Sequence, residues 1–188
     1  MKVLFLDRDG VINKDLKYVC KKEDFYFKYG IFKLLKKASE QNYKIIIITN
    51  QAGIGRGFYS EDEFWLLMDW VLSKFLQKGI SIEKVYFCPH HPTHGKGIYK
   101  KNCKCRKPNS LLFEKAKKDF NIDISKSIMI GDKESDLEAA QKAGITKLIL
   151  LKNIYMFNKK EYTVAKSITE ISKNFLDIAC EINYIKGN

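Results

Sequence analysis

A chain of 188 residues, 45% hydrophobic and 30% charged, is long enough to bury a sizeable core and is expected to form one domain spanning 1–188. No apolar run approaches the roughly 18 residues needed to cross a bilayer, and residues 3–6 are too few for a signal-peptide core, so a membrane protein is excluded and the cytosol is the expected location. The formal charge of +12 admits nucleic acid or an anionic small substrate, but the lysines are scattered and no Arg-rich run occurs, which makes nucleic acid the weaker partner.

Taken in order, Val3-Leu4-Phe5-Leu6 is an apolar run bounded by charge and reads as a short strand of the buried, parallel kind. It stops at Asp7-Arg8-Asp9-Gly10, leaving two carboxylates at the strand's exposed end. Residues 14–22 lack a period and read as a loop. Phe25-Tyr26-Phe27 is expected to add a short strand, and Ile31, Phe32, Leu34, Leu35 and Ala38 fall at helical spacing. Ile45-Ile46-Ile47-Ile48 is a second strand, ending in Thr49-Asn50-Gln51. Gly53, Gly55 and Gly57 predict a mobile or tightly turned loop. Ser60-Glu61-Asp62-Glu63 is a capping box that opens a helix over 61–77.

Val85-Tyr86-Phe87 gives a third strand, after which the pattern fails for about twenty residues, a length that needs a special explanation. A helix follows Pro108-Asn109-Ser110. The fourth strand, 127–130, runs into Gly131-Asp132-Lys133, and a helix over 135–142 ends at Ala143-Gly144. Residues 147–151 are a fifth strand, and 168–182 are expected to form one terminal helix. Alternating strands and helices argue for an α/β, doubly wound, mostly parallel sheet.

In such a sheet the carboxyl ends of the strands lie on one edge, so Asp7, Asp9, Thr49, Asn50 and Asp132 converge on a single crevice. With Lys107 added, three carboxylates, a hydroxyl and an ammonium can hold a hard divalent cation and a phosphoryl group together. The long loop carries a second constellation. Cys88-x-His90 and Cys103-x-Cys105 supply four donors suited to a closed tetrahedral zinc site, with His91 and His94 as rival fourth ligands. Such a metal explains how the loop is ordered without regular structure. Cys20 and Cys180 have no partner at ligand spacing.

In their order, Asp7-Arg8-Asp9-Gly10, Thr49-Asn50, Lys107-Pro108 and Gly131-Asp132-Lys133-x-x-Asp136 resemble the four motifs of the haloacid dehalogenase (HAD) superfamily of phosphatases. Longer strings are similar to its D,D-heptose 1,7-bisphosphate phosphatase branch, which is related to histidinol-phosphate phosphatases. They are Phe5 through Asn13, Thr49-Asn50-Gln51-x-Gly53-Ile54, Cys88-Pro89-His90-His91-Pro92 and Cys103-x-Cys105-Arg106-Lys107-Pro108.

The resemblance implies a Rossmann-like core and an aspartyl-phosphate mechanism. Asp7 is the nucleophile and Asp9 the general acid and base, a role that calls for a carboxyl whose pKa can be raised. Thr49 and Lys107 stabilise the transferring oxygens. Magnesium is held by Asp7, the backbone carbonyl of Asp9 and Asp132. Lys133 orients the nucleophile or the metal shell, Asp136 supports Lys107 or an outer-shell water, and Arg106 clamps the second phosphate of a bisphosphate. The resemblance selects His90 as the zinc ligand, in a structural role. The intervals between motifs leave no room for a separate cap domain, so the site is expected to be open. Its walls are residues 15–18, residues 53–57 and the zinc loop, and Asp15, Leu16, Lys17, Tyr18, Asn50, Gln51, Ala52, Arg106 and Lys133 are candidates for touching an anionic sugar-phosphate. A monomer is expected. The alternatives carried are a histidinol-phosphate phosphatase, a polynucleotide 3′-phosphatase and a non-enzymatic zinc module that binds nucleic acid.

Overall fold

The computed structural model describes residues 1–152 and 162–180. Its centre is a six-stranded, wholly parallel sheet formed by β1 (Val3–Leu6), β2 (Lys44–Asn50), β3 (Lys84–Cys88), β4 (Ile128–Gly131), β5 (Lys147–Leu151) and β6 (Thr163–Ala165). Their spatial order is β3-β2-β1-β4-β5-β6. β1 is therefore central, with Phe5 flanked by Ile46 on one side and Met129 on the other.

The apolar runs are continuous because both faces of the sheet are covered. Leu4, Leu6, Ile45 and Ile47 face one layer, which contains Leu34 and Leu35 of α1 (Ile31–Glu40) and Met68 and Val71 of α3 (Glu61–Leu76). Val3, Phe5, Ile46 and Ile48 face the other, with Phe113 and Ala116 of α4 (Leu111–Phe120) and Ala139 and Ala140 of α5 (Glu134–Lys142). Each large side chain buried this way contributes roughly 1.5–3 kcal/mol, so the two layers fix which residue of each strand faces where. The capping box at Ser60 and Glu63 forms as the sequence implies.

Three local expectations are corrected. Residues 53–57 are not a loop: α2 (Ala52–Arg56) is a short helix ended by Gly57 in the left-handed region, φ 77°. Its glycines serve close approach, since a Cβ at Gly53 would stand 2.2 Å from the Tyr59 ring and one at Gly55 would stand 2.4 Å from the Pro89 carbonyl. Phe25 to Phe27 form no strand. Asn13 and Phe27 make an isolated bridge, and the two Phe rings pack with Trp70 and Phe75 instead. The C-terminal segment is not one helix but α6 (Ile168–Lys173) and α7 (Phe175–Cys180), broken at Asn174; the expected continuation to Ile182 lies outside the described residues.

The chain leaves β1 toward β2 on one side and returns from β3 to β4 on the other. The strand order thus reverses next to β1, and the crevice outside β1 and β4 is the place where such sheets bind ligands. Among the described residues no separate cap domain covers it, and no helix is long and apolar enough to cross a membrane.

Candidate active site

Asp7 follows β1 directly, and its amide donates to the Ile130 carbonyl at 3.1 Å, extending the sheet pairing by one residue. Lys107 arrives from the long loop and is locked by a reciprocal pair with Asn50: Lys107 N donates to Asn50 Oδ1 at 3.1 Å, and Asn50 Nδ2 donates to Lys107 O at 3.2 Å. The Lys107 ammonium is almost completely buried. It reaches Asp7 Oδ1 at 2.8 Å, Asp136 Oδ1 at 2.7 Å and the Ile48 carbonyl at 2.8 Å. An ammonium has three donors, and here all three are used. Burial alone would favour the neutral amine; the Asp136 and Asp7 carboxylates reverse that and raise its pKa.

Burial pushes Asp7 up to about 6, with Lys107 pulling against the shift. It pushes Asp132 up to about 7, with the Asp7 charge adding to the rise. One oxygen each of Asp7, Asp132 and Asp136 lies within 4.8 Å of the others. Both oxygens of Asp136 are engaged, one by Lys107 and one by the Lys133 amide at 3.0 Å. Asp132 Oδ1, by contrast, is buried with no hydrogen-bond partner among the described residues. An orphaned carboxylate oxygen beside a second buried carboxylate is costly alone and is the donor chemistry a hard divalent cation satisfies, so Asp7 and Asp132 fit magnesium. Gly10, at φ 90°, keeps that place open: a Cβ there would stand 2.2 Å from Asp132 Oδ2.

Asp9 departs from expectation. Arg8, fully buried, grips its carboxylate through Nε to Oδ2 at 3.1 Å and NH2 to Oδ1 at 2.9 Å, while Asn13 Nδ2 and Gln51 Nε2 donate at 3.0 Å each. Burial opposes ionisation, but the Arg8 guanidinium and these donors outweigh it and hold the Asp9 pKa below the usual carboxylate range. The raised carboxyls are Asp7 and Asp132, which lack such a clamp.

Gln51, expected to touch substrate, is instead 1% exposed and lies beneath the site. Its Nε2 donates to Asp9 and, at 2.8 Å, to Thr49 Oγ1; its Oε1 accepts the Tyr59 hydroxyl at 2.6 Å. Thr49 is equally buried, and because its oxygen accepts from Gln51 its own proton remains to be donated.

Above these groups opens a cavity of about 580 Å³ with Asp7, Asp9, Asn50, Ala52 and Lys107 among its lining. Its walls supply Asp15, Lys17 and Tyr18, then Arg106 and Lys133, as the sequence suggested, whereas Leu16 is half exposed. Lys17 and Tyr18 both have left-handed backbone, φ 62° and 57°, a costly state for residues with a Cβ, and the Lys17 amide donates to Asp15 Oδ1 across that turn. Lys133 Nζ lies 3.2 Å from Asp15 and 3.8 Å from Asp132, tying this wall to the carboxylates. Its pKa is raised: burial opposes the rise, and Asp132 and Asp7 drive it.

Tyr59 and Ser135 also line the cavity and escaped sequence reasoning, and Arg56 lies in the expected wall 53–57 without having been singled out. A usable signal existed for Arg56. The chain holds 34 basic residues, of which only Arg8, Arg56 and Arg106 are arginine. Where lysine fills almost every solvated position, an arginine marks a place that needs a planar fork; all three lie at this site.

The long loop gathers Cys88, His90, Cys103 and Cys105 so that their donor atoms lie within 4.8 Å of one another. The Cys105 Sγ stands 3.1 Å from Cys88, 3.2 Å from Cys103 and 3.2 Å from His90 Nδ1. Hydrogen bonding from Cys88, opposed by burial, brings the Cys105 thiol down to about 5, while the same contact pushes Cys88 up. Three sulfurs and an imidazole at these separations fit zinc. His91 does not join them; its Nδ1 accepts the His94 amide at 3.1 Å and its Nε2 lies 3.3 Å from Arg56. The loop also delivers chemistry: Cys105 is followed by Arg106, whose NH1 donates to the His90 carbonyl at 3.3 Å, and then by Lys107.

A family model described as HAD-hydrolase-like matches residues 104–177. Over 150 residues the chain is 49% identical to the D-glycero-alpha-D-manno-heptose-1,7-bisphosphate 7-phosphatase of Burkholderia mallei, covering 80% of this chain and 79% of that protein. It is 43% identical over 149 residues to the D-glycero-beta-D-manno-heptose-1,7-bisphosphate 7-phosphatase of Vibrio cholerae, covering 79% and 80% respectively. Its fold is similar to that of the D,D-heptose 1,7-bisphosphate phosphatase from B. bronchiseptica complexed with magnesium and phosphate, with a TM-score of 0.80 at 23% identity over 94% of this chain and 99% of that one.

Proposed function

The chain belongs to the HAD-like family of phosphatases, and on that premise we propose that it hydrolyses the C7 phosphate of D-glycero-D-manno-heptose 1,7-bisphosphate, leaving the C1 phosphate in place for nucleotide activation. The observation that carries the reading is the buried Asp7, aimed into the cavity and held 2.8 Å from Lys107 with Asp132 beside it. A carboxylate so placed attacks phosphorus and the bond from phosphorus to the C7 oxygen breaks; Asp9, held ionised by Arg8 at rest, takes up a proton as the phosphate dianion arrives beside it and raises its pKa, and passes that proton to the departing oxygen. Water then attacks the aspartyl-phosphate and gives its proton to Asp9, releasing inorganic phosphate and restoring Asp7. Splitting the displacement in two keeps each barrier lower than a single attack by water.

Lys107, with all three donors engaged at rest, acts by its charge and by keeping Asp7 in place. Thr49 and Asn50 present donors to the transferring oxygens. The carboxylates of Asp7 and Asp132, with the backbone carbonyl of Asp9, would hold a magnesium ion, whose positive charge offsets repulsion between the nucleophile and a phosphate dianion. Arg56 and Arg106, which both line the cavity, suit bidentate contact with the second phosphate, and Asp15, Lys17, Tyr18, Ala52 and Lys133 border the sugar. Cys88, His90, Cys103 and Cys105 would hold zinc as a structural centre that keeps Arg106 and Lys107 in register. The reading takes the protein as a single-domain monomer acting in the cytosol.

Phosphate release from both anomers of the heptose bisphosphate, from histidinol phosphate and from a 3′-phosphorylated oligonucleotide tests it, with Asp7→Asn as the control. We expect the heptose bisphosphate to have the largest kcat/KM and Asp7→Asn to abolish release. Preference for histidinol phosphate or for the oligonucleotide would overturn the substrate assignment.

A further inference from the structure

We propose that Tyr59 is a positioning residue: its hydroxyl anchors the Gln51 side-chain amide, and through that amide it holds the Asp9 carboxylate and the Thr49 hydroxyl in place for proton delivery to the departing sugar oxygen. The inference rests on the phosphatase reading and deepens it.

An amide has one acceptor end and one donor end, and nothing in the Gln51 backbone decides which way round it lies. Here its neighbours decide. The donor end meets a carboxylate oxygen at 3.0 Å and a hydroxyl oxygen at 2.8 Å, and the acceptor end meets the Tyr59 hydroxyl at 2.6 Å. The Asp9 carboxylate, which only accepts, selects the end that faces it, and the Tyr59 hydroxyl gives its proton to the amide oxygen on the other side and anchors the amide there. Removing that hydroxyl leaves Oε1 buried without a donor and frees the amide to tilt away from Asp9 or to reverse. In the reversed amide, Oε1 would face Asp9 Oδ2 across the same short gap, oxygen against oxygen, and Asp9 would be pushed from its seat while Thr49 would have to spend its proton on the amide.

The surroundings are built for this contact. Tyr59 is 5% exposed, and Gly53 lacks the Cβ that would otherwise stand 2.2 Å from its ring and 2.8 Å from its hydroxyl. The Gln51 amide nitrogen of the main chain is itself fixed, donating to the Cys88 carbonyl at 2.8 Å. Only the side-chain amide is left for Tyr59 to set.

A positioning role predicts a signature that a merely structural role does not. A sugar alkoxide needs a proton as it leaves, whereas the nitrophenolate of 4-nitrophenyl phosphate leaves without one. General acid catalysis is worth about 10²–10⁴-fold, so misplacing the acid should cost roughly ten-fold on the sugar ester and little on the aryl ester. We expect Tyr59→Phe to lower kcat/KM on the heptose bisphosphate about ten-fold and to change kcat/KM on 4-nitrophenyl phosphate less than about two-fold, because kcat/KM reports the steps through transfer to Asp7 and not the later hydrolysis, in which Asp9 serves both esters alike. Gln51→Leu should show the same contrast, and the double variant should be no worse than the more affected single variant. Should Tyr59→Phe fail to fold, Gln51→Leu makes the same comparison. Equal losses of kcat/KM on the two esters, or losses that multiply in the double variant, would overturn the inference. Failure of the wild-type protein to act on the heptose bisphosphate would instead contradict the substrate assignment.

Discussion

Replacing Lys107 by methionine keeps the length of the side chain and deletes one buried charge, so the outcome reports on the electrostatics of the site with little change in packing. In the native protein the ammonium is the direct counter-ion to two carboxylates, at 2.8 and 2.7 Å. Taking away one partner of a buried pair costs about 3–5 kcal/mol, because it strands the other. Here it strands two, with Asp132 already close by. The chain can limit that cost only by taking up a proton. Asp7 sits at about 6 even with the lysine present, pushed there by burial, and loses the opposing pull when the lysine goes. Each pH unit below the freed carboxyl's pKa is worth about 1.4 kcal/mol. The sign follows from linkage: a carboxyl whose folded pKa lies above its unfolded one penalises the fold at high pH and relieves it as pH falls toward the unfolded value. Lys107→Met should therefore lose about 3–5 kcal/mol at pH 8, roughly 6–20 °C in Tm for a chain of this size, and up to about 3 kcal/mol less at pH 5.5. Calorimetry of variant and wild type in magnesium-free buffer, compared at each pH so that titration elsewhere cancels, measures it. A Tm loss below about 2 °C at pH 8, or one equal at both pH values, would refute the reasoning.

Four other outcomes follow from the same geometry. Asp132→Asn removes a buried carboxylate with an orphaned oxygen; without magnesium it should raise stability by roughly 2 kcal/mol at pH 8, the gain fading as pH falls below about 7 where the native Asp132 takes up its own proton. The same variant should lose the stabilisation that added magnesium gives the wild type, read as a Tm shift. Gly10→Ala combines a left-handed backbone with a Cβ set 2.2 Å from Asp132; it should cost more than about 2 kcal/mol and abolish the magnesium response. Purified protein should carry one zinc per chain by elemental analysis, with Cys103→Ser and Cys105→Ser reducing both zinc content and Tm, and an unchanged metal content in those variants would rule the site out.

What the sequence displayed, and what it hid, divides along physical lines. β1 and β2 were legible because a strand buried on both faces must be apolar at every position, and few other structures demand that of so short a run. Asp7, Thr49 and Asp132 were legible because strand ends on one sheet edge must converge. The helix at Ala52–Arg56 was hidden because three glycines argue locally for a turn, while their purpose, admitting the Tyr59 ring and the Pro89 carbonyl, exists only in three dimensions. β6 has just three residues and one buried side chain, too little pattern to see. Gln51 was misplaced on the substrate wall for a related reason: adjacency to Thr49 and Asn50 says nothing about which side chain turns inward, and inward is where Tyr59 and Asp9 hold it. Asp9 was expected to be raised in an anionic crowd, yet the residue beside it in sequence, Arg8, is the group that prevents this.

The claim on which the rest depends is that Asp7 receives one particular phosphate. Phosphorus NMR of D-glycero-D-manno-heptose 1,7-bisphosphate incubated with the protein and magnesium resolves the two esters and the product. The account predicts that the C7 ester signal converts to inorganic phosphate while the C1 signal persists, and that nothing changes with Asp7→Asn. Loss of the C1 signal first, or conversion that survives in Asp7→Asn, would contradict it.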